Sequence, residues 1–221
     1  MTDWWRPSGA FAMLHWLAAA RADLIPPAGP GGATLVDLGC GGGLLAAHVA
    51  DKGYRHVGVD LVASALGVAA EHGVTPVRAD VRRVPLADGC ADVVSAGEIL
   101  EHVTDPRLVL AEACRLLRPG GLLVLDTIAA NPVARFVAVT LGERIPGGAP
   151  KGVHDPALFV PPELVVEECA RHGVTLAVRG LRPHVRRFAR WLVTREGDVP
   201  MVPTFSTAVL YQGVGRKRVG A

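Results

Sequence analysis

The sequence has no large excess of either charge, no long unbroken apolar run and no paired-cysteine motif, and each absence excludes something. Its 23 Lys and Arg against 21 Asp and Glu leave a net charge of +2, too little for a surface that tracks a nucleic-acid backbone. The basic end Arg216-Lys217-Arg218 reads as a solvated tail. No stretch of about 18 uncharged apolar residues suggests a spanning helix. The most apolar segment, Gly121 to Leu141, is interrupted by Asp126, Asn131, Pro132 and Arg135. The opening Trp4-Trp5-Arg6-Pro7 is followed by no charged-then-apolar leader with a cleavage site. Cys40, Cys90, Cys114 and Cys169 are far apart, with no C-x-x-C, and read as reduced thiols of a cytoplasmic protein. No internal repeat is visible. What remains is a globular balance, 50% hydrophobic and 20% charged over 221 residues, which suits one α/β domain with a sizeable core.

Apolar residues fall at helical spacing from Phe11 to Leu24, and Pro26-Pro27 ends that run. Buried strands are expected at Ala33–Leu38, His56–Val59, Thr75–Arg78, Ala91–Ala96 and Leu122–Asp126. Helices are expected between them, at Leu44 to about Lys52, Ala63–His72 and Pro106 to about Leu117. Pro119-Gly120-Gly121 reads as a sharp turn. This alternation predicts a doubly wound, mostly parallel sheet with helices on both faces. Asn131 to Pro161, rich in Pro and Gly, breaks the rhythm and reads as an irregular functional loop. A helix Pro162–Arg171 and strands Val174–Val178 and Ser206–Tyr211 follow, the last expected to be antiparallel. The expected organisation is a single domain over 1–221, with an N-terminal helical segment 1–30 and a substrate-side insertion 131–161.

The strongest local signal is Val36-Asp37-Leu38-Gly39-Cys40-Gly41-Gly42-Gly43, placed where a strand turns into a helix. Glycines there let a ligand approach the backbone, and the helix N-terminus offers free N–H donors. A dinucleotide pattern can be forced from Gly41 through Gly43 to Ala46, but from Gly39 it fails at Leu44. Asp60 ends the next strand, where a carboxylate can accept from two ribose hydroxyls or can cap the following helix. Asp80 follows the third strand, as a ligand carboxylate or a loop residue.

The pattern Asp37-x-Gly39-x-Gly41 resembles motif I of class I S-adenosylmethionine-dependent methyltransferases. The series Asp92 to Gly97-Glu98, Leu100-Glu101-His102-Val103 and Leu116 to Gly121 with its apolar strand is similar to their later motifs. More narrowly, the chain resembles the ubiquinone-biosynthesis O-methyltransferase family. The residues that carry this are Trp4-Trp5-x-Pro7-x-Gly9-x-Phe11-x-x-Leu14-His15, Arg144-Ile145-Pro146 to Lys151-Gly152-x-His154-Asp155, and Phe159 with Pro162-Glu163-Leu164. The resemblance implies that Arg21 meets the cofactor carboxylate, that Gly39, Asp60 and Gly97 contact the cofactor, and that Asp80 meets the adenine amino group. It implies methylation of polyprenylated catechols and hydroxyquinols, and a magnesium role for Glu98, Glu101 and His102. The last 40 residues depart from the family pattern, with Leu181-Arg182-Pro183-His184 and Pro203-Thr204-Phe205-Ser206.

The chemistry requires an electrophilic methyl on sulfur, an oxygen held in line with it, and help in ionising a phenol whose pKa is near about 10. Glu98, Glu101 and His102, at i, i+3 and i+4, would share one face of a helix. There they could hold a divalent cation, or act as packing and capping residues, although imidazole suits magnesium poorly. His154 is the alternative base, with Asp155 beside it as orienter, and His102 could serve without a metal. The insertion is expected to form a lid over an apolar acceptor or to touch a membrane surface through 131–145, or simply to pack on the core. The competing readings are an N- or C-methyltransferase, a nicotinamide dehydrogenase, and a cofactor-binding protein without turnover. The sequence gives no oligomeric state.

Overall fold

The computed structural model describes residues 4–6, 9, 11–145 and 152–220. Pro7, Pro146 and Lys151 of the family-like segments lie outside these. The core is a sheet of eight strands in the order β3-β2-β1-β4-β5-β8-β6-β7. The strands are β1 (Ala33–Leu38), β2 (Tyr54–Asp60), β3 (Thr75–Arg78), β4 (Ala91–Gly97), β5 (Leu117–Ile128), β6 (Val174–Pro183), β7 (Met201–Thr204) and β8 (Leu210–Lys217). β1 pairs in parallel with β2 and β4, β2 with β3, and β4 with β5, while β8 runs antiparallel between β5 and β6. The sheet is therefore doubly wound, with the expected antiparallel last strand.

Neighbouring residues on each central strand feed opposite cores. Val36, Val94, Leu123 and Leu125 pack with Val109, Leu110, Ala113 and Val165 on one face. Leu35, Val93 and Val124 pack with Ile25, Leu45 and Val49 on the other. This period of two, buried on both sides, is why the strands read as continuous apolar runs. The helices that cover these faces are α1 (Ala12–Ala22), α2 (Ala46–Val49), α3 (Ala63–Glu71), α4 (Pro106–Leu116), α5 (Pro132–Arg135), α6 (Pro162–Arg171) and α7 (Val185–Thr194). α4 starts where the sequence places it: Asp105 accepts from the Arg107 N–H at 3.1 Å, and Pro106 fits the first turn.

Several expectations need correction. Pro119-Gly120-Gly121 lies within β5, whose register against β4 shifts between Ala91 and Val93. The first half of the insertion is helical: α5 runs on into a wide turn over Phe136–Leu141 and a tight one over Gly142–Arg144. β6 reaches Pro183, α7 and β7 had no strong sequence signal, and the last strand begins at Leu210 rather than Ser206. Arg216 and Lys217 are strand residues, not tail. Lys217 Nζ donates to the carbonyls of Cys114 and Leu117 at 2.9 and 2.8 Å, satisfying the end of α4. All four cysteines are unpaired. No helix among the described residues is long and apolar enough to cross a membrane.

Candidate active site

The sheet order reverses between β1 and β4, and the crevice outside their carboxyl ends is where open α/β sheets bind ligands. Two adjoining depressions occupy it, of about 380 and 360 Å³. Gly39, Asp60, Ile99 and His102 line both. The larger is also lined by Arg21, Asp37, Gly41, Gly97, Glu98 and His154. The smaller contains Asp80. The crevice thus gathers every residue expected at the site except Glu101 and the orienter Asp155.

Its floor is the turn after β1. Gly39 and Cys40 both donate their N–H to the Val59 carbonyl, at 2.8 and 3.1 Å, tying the ends of β1 and β2 together. Gly39 has φ +71°, and a Cβ there would sit 2.7 Å from the Ile99 side chain. Asp60 accepts from Gly41 N–H at 2.9 Å through one oxygen and from Val62 N–H at 2.8 Å through the other. It closes a local turn without capping α3, whose N-cap is Val62. Both oxygens keep lone pairs for hydroxyl donors. Asp80 borders the smaller depression, but Arg82 binds both of its oxygens, at 2.6 to 3.1 Å. Those bonds hold its carboxyl below the usual range.

Beside this floor lies a buried charged cluster. Arg21, from α1, donates to Asp126 Oδ1 at 2.5 Å; Asp126 is fully buried and Arg21 is 7% exposed. Glu98 sits at φ +51°, a left-handed conformation that costs a non-glycine residue energy and often marks functional sites. Glu101 is fully buried, and its Oε2 accepts from Thr127 Oγ1 at 2.6 Å. Burial and the neighbouring carboxylates Glu101 and Asp126 raise Glu98 well above the ordinary carboxylate range. Burial also raises Glu101, to about 7, and lifts Asp126 against the pull of Arg21. Glu98 Oε1, Glu101 Oε1 and Asp126 Oδ2 have no protein donor. Protons held on these raised carboxyls can satisfy one another's oxygens.

This arrangement corrects the expected metal face. Residues 98–102 do not form an α-helix: Glu98 is in a bend and only Leu100–His102 make a short tight turn. Glu101 points into the core toward Thr127, while His102 is exposed and its ring faces His154. Among the described residues no three His, Cys, Asp or Glu side chains are spaced to hold a metal ion. A magnesium ion on Glu98, Glu101 and His102 does not fit this placement.

His102 and His154 meet across the mouth, their rings stacked 6.0 Å apart at 17°. Although the His102 side chain is exposed at the mouth, partial desolvation there and the neighbouring His154 lower it; burial lowers His154 although the Glu143 charge opposes it. His154 Nδ1 lies 3.3 Å from Glu143 Oε1, close enough for an ion pair but too poorly aligned for a hydrogen bond. Glu143 is itself fixed by Gly152 N–H at 2.8 Å and His154 N–H at 3.3 Å. The expected orienter, Asp155, instead accepts from Ala157 N–H at the start of the turn Pro156–Leu158. Sequence reading also missed Asp126, signalled only by a carboxylate late in an apolar strand, and Glu143, which gave no signal.

The fold and this crevice are those of a class I S-adenosylmethionine-dependent methyltransferase. Residues 36–125 match the model of the methyltransferase domain family. A ubiquinone biosynthesis O-methyltransferase from Dechloromonas aromatica is 37% identical over 167 residues, 72% of each chain. Another so named, from Ralstonia nicotianae, is 36% identical over 89% of this chain and 91% of that protein. Among solved structures, a SAM-dependent methyltransferase from Thermotoga maritima superposes with a TM-score of 0.68 at 18% identity, over 95% of this chain and 91% of that one. The chain belongs to the ubiquinone biosynthesis O-methyltransferase family. It is an S-adenosylmethionine-dependent enzyme, and the nicotinamide reading falls.

Proposed function

We propose that this enzyme moves the methyl group of S-adenosylmethionine onto the oxygen of a phenolic small molecule, a catechol or hydroxyquinol. The observation that carries the reading is one apolar cavity lined by Gly39, Gly41 and Asp60 together with His102 and His154. Methionine and adenosine groups match residues of the two depressions: Arg21 and Asp37 for the zwitterion, Asp60 for the ribose, and Asp80 in the smaller one for the adenine. The bound cofactor supplies an electrophilic methyl on a sulfonium.

The protein's own residues align the acceptor and take its proton. The Nδ1 of His154 faces Glu143, which favours a proton on that nitrogen and leaves Nε2 as the base. Burial keeps the ring neutral at pH 7. As the acceptor O–H passes its proton to Nε2, the oxygen lone pair forms the O–CH₃ bond. When bound, the cofactor would give up its methyl and keep the electron pair of the S–CH₃ bond, so the transfer balances with the acceptor's proton held on His154 Nε2. Alignment of this kind contributes several kcal/mol, up to about 7–11 in model systems.

A greasy acceptor suits the insertion, where Val133, Phe136 and Leu141 are 54%, 55% and 46% exposed. We assign 131–145 to peripheral contact with a membrane surface, from which such an acceptor would be drawn. The direct test is turnover with a set of catechols and hydroxyquinols. Methylated product from at least one supports the assignment, and cofactor binding with no turnover on any of them removes it.

A further inference from the structure

The paired tryptophans at the start of the chain lie on the glycine loop, and no role described above uses them. Trp5 Nε1 donates to the Gly42 carbonyl at 2.9 Å, and its ring stacks on His72 at the end of α3, with centroids 3.6 Å apart and planes at 6°. The Trp4 ring stacks on Phe11 at 4.3 Å, and the Trp4 carbonyl is 2.9 Å from His15 Nε2 on α1. The pair therefore ties α1, the glycine loop and α3 together.

The glycines themselves record this contact. A Cβ at Gly42 would lie 2.5 Å from Trp4 Cγ, and one at Gly41 would lie 3.1 Å from two atoms of the same ring. Gly42 has no positive φ to explain it. The missing Cβ at Gly42 is thus space filled by Trp4 rather than space left for a ligand. Asp60 holds the same loop by the Gly41 N–H. Trp4 also lines the larger depression, next to Gly39, Gly41 and Asp60.

We propose that Trp4 and Trp5 are positioning residues for the cofactor: together with Asp60 they clamp the glycine loop, and Trp4 forms part of the cavity wall beside it. Their hydrogen-bond and stacking partners are Gly42, His15, Phe11 and His72, so they act on cofactor affinity and not on the transfer chemistry. This rests on the assignment of the glycine loop to the cofactor, which binding of S-adenosylhomocysteine to the unaltered enzyme tests separately.

The test is calorimetric titration with S-adenosylhomocysteine of the unaltered enzyme, Trp4→Ala, Trp5→Phe, Gly42→Ala and the Trp4→Ala/Gly42→Ala double variant. Melting of each protein without ligand is followed alongside. Trp5→Phe keeps the ring on His72 and removes only the N–H to Gly42. Each single variant is expected to raise Kd about tenfold, the scale of one lost hydrogen bond or stack. Gly42→Ala is expected to cost less than about twofold further once Trp4 is gone, because the clash partner is absent. An equal cost of Gly42→Ala in both backgrounds would show that the glycine serves the ligand directly, and would overturn the proposal. So would unchanged affinity in Trp5→Phe, which decides the matter even if Trp4→Ala unfolds. If the unaltered enzyme itself fails to bind, the cofactor assignment has failed and the clamp falls with it.

Discussion

The guanidinium of Arg21 occupies the space that a side chain at position 97 would need: its Nη1 lies 1.6 Å from where a Gly97 Cβ would sit. Two residues that family resemblance offers as separate cofactor contacts thus depend on each other. Arg21 reaches Asp126 only because β4 ends in a glycine. Gly97→Ala is expected to displace Arg21 and leave Asp126 buried without its cation, a loss of about 3–5 kcal/mol in stability for a broken buried pair. Chemical denaturation measures this. A loss below about 1 kcal/mol, the usual scale of a harmless substitution, would show that Arg21 has another way past.

Glu101 gives a prediction about pH. Its ordinary value is 4.5, and burial raises it to about 7 in the folded protein. Between these values the folded state holds a proton that the unfolded state has lost. Its contribution to stability is therefore complete below pH 4.5 and is lost as pH rises through about 7. Glu101→Gln keeps an acceptor for Thr127 and cannot ionise. Thermal melting from pH 5 to 8 is expected to show the variant gaining on the unaltered protein as pH rises. A constant gap between them would contradict the raised value.

His154→Ala is expected to lower kcat by roughly 10²–10⁴, the range for a lost general base. The unaltered enzyme is expected to lose rate in acid with an apparent pKa below the ordinary histidine value of 6.5, because burial disfavours the charged ring. That acid limb should vanish in the variant. Retention of both the rate and the limb would move the role to His102.

The exposed apolar side of the insertion is testable without knowing the acceptor. Sedimentation with phospholipid vesicles is expected to carry down the unaltered protein, and Phe136→Glu with Leu141→Glu to release it, since about 2.5–3.5 kcal/mol is the scale of resistance to one acidic or basic group in hydrocarbon. Equal partition of both proteins would end the membrane assignment.

The central sheet was legible because its strands are buried on both faces and separated by clear Gly and Pro punctuation, as at Ala33–Leu38 and Ala91–Gly97. The edge strand β7 and the helix α7 were not. α7 buries only Trp191 fully, so its pattern of arginines between apolar residues carries little core signal. The glycine loop and Asp60 were visible from type and spacing, and Arg21 only through the family resemblance. The geometry of Glu98 to His102 was not, because the left-handed φ at Glu98 breaks the helical spacing that the sequence suggests. Glu143 meets His154 across an eleven-residue separation, and such long-range pairing leaves no mark in local pattern.

The measurement that bears most directly on the enzyme's chemistry is the fate of a deuterium-labelled methyl group. Incubated with S-adenosylmethionine carrying CD₃ and with a catechol, the enzyme is expected to give an aryl ether whose label sits on a ring oxygen, as read by mass spectrometry and NMR. Label on a ring carbon, or no transfer while the cofactor is demonstrably bound, would contradict oxygen methylation by this site.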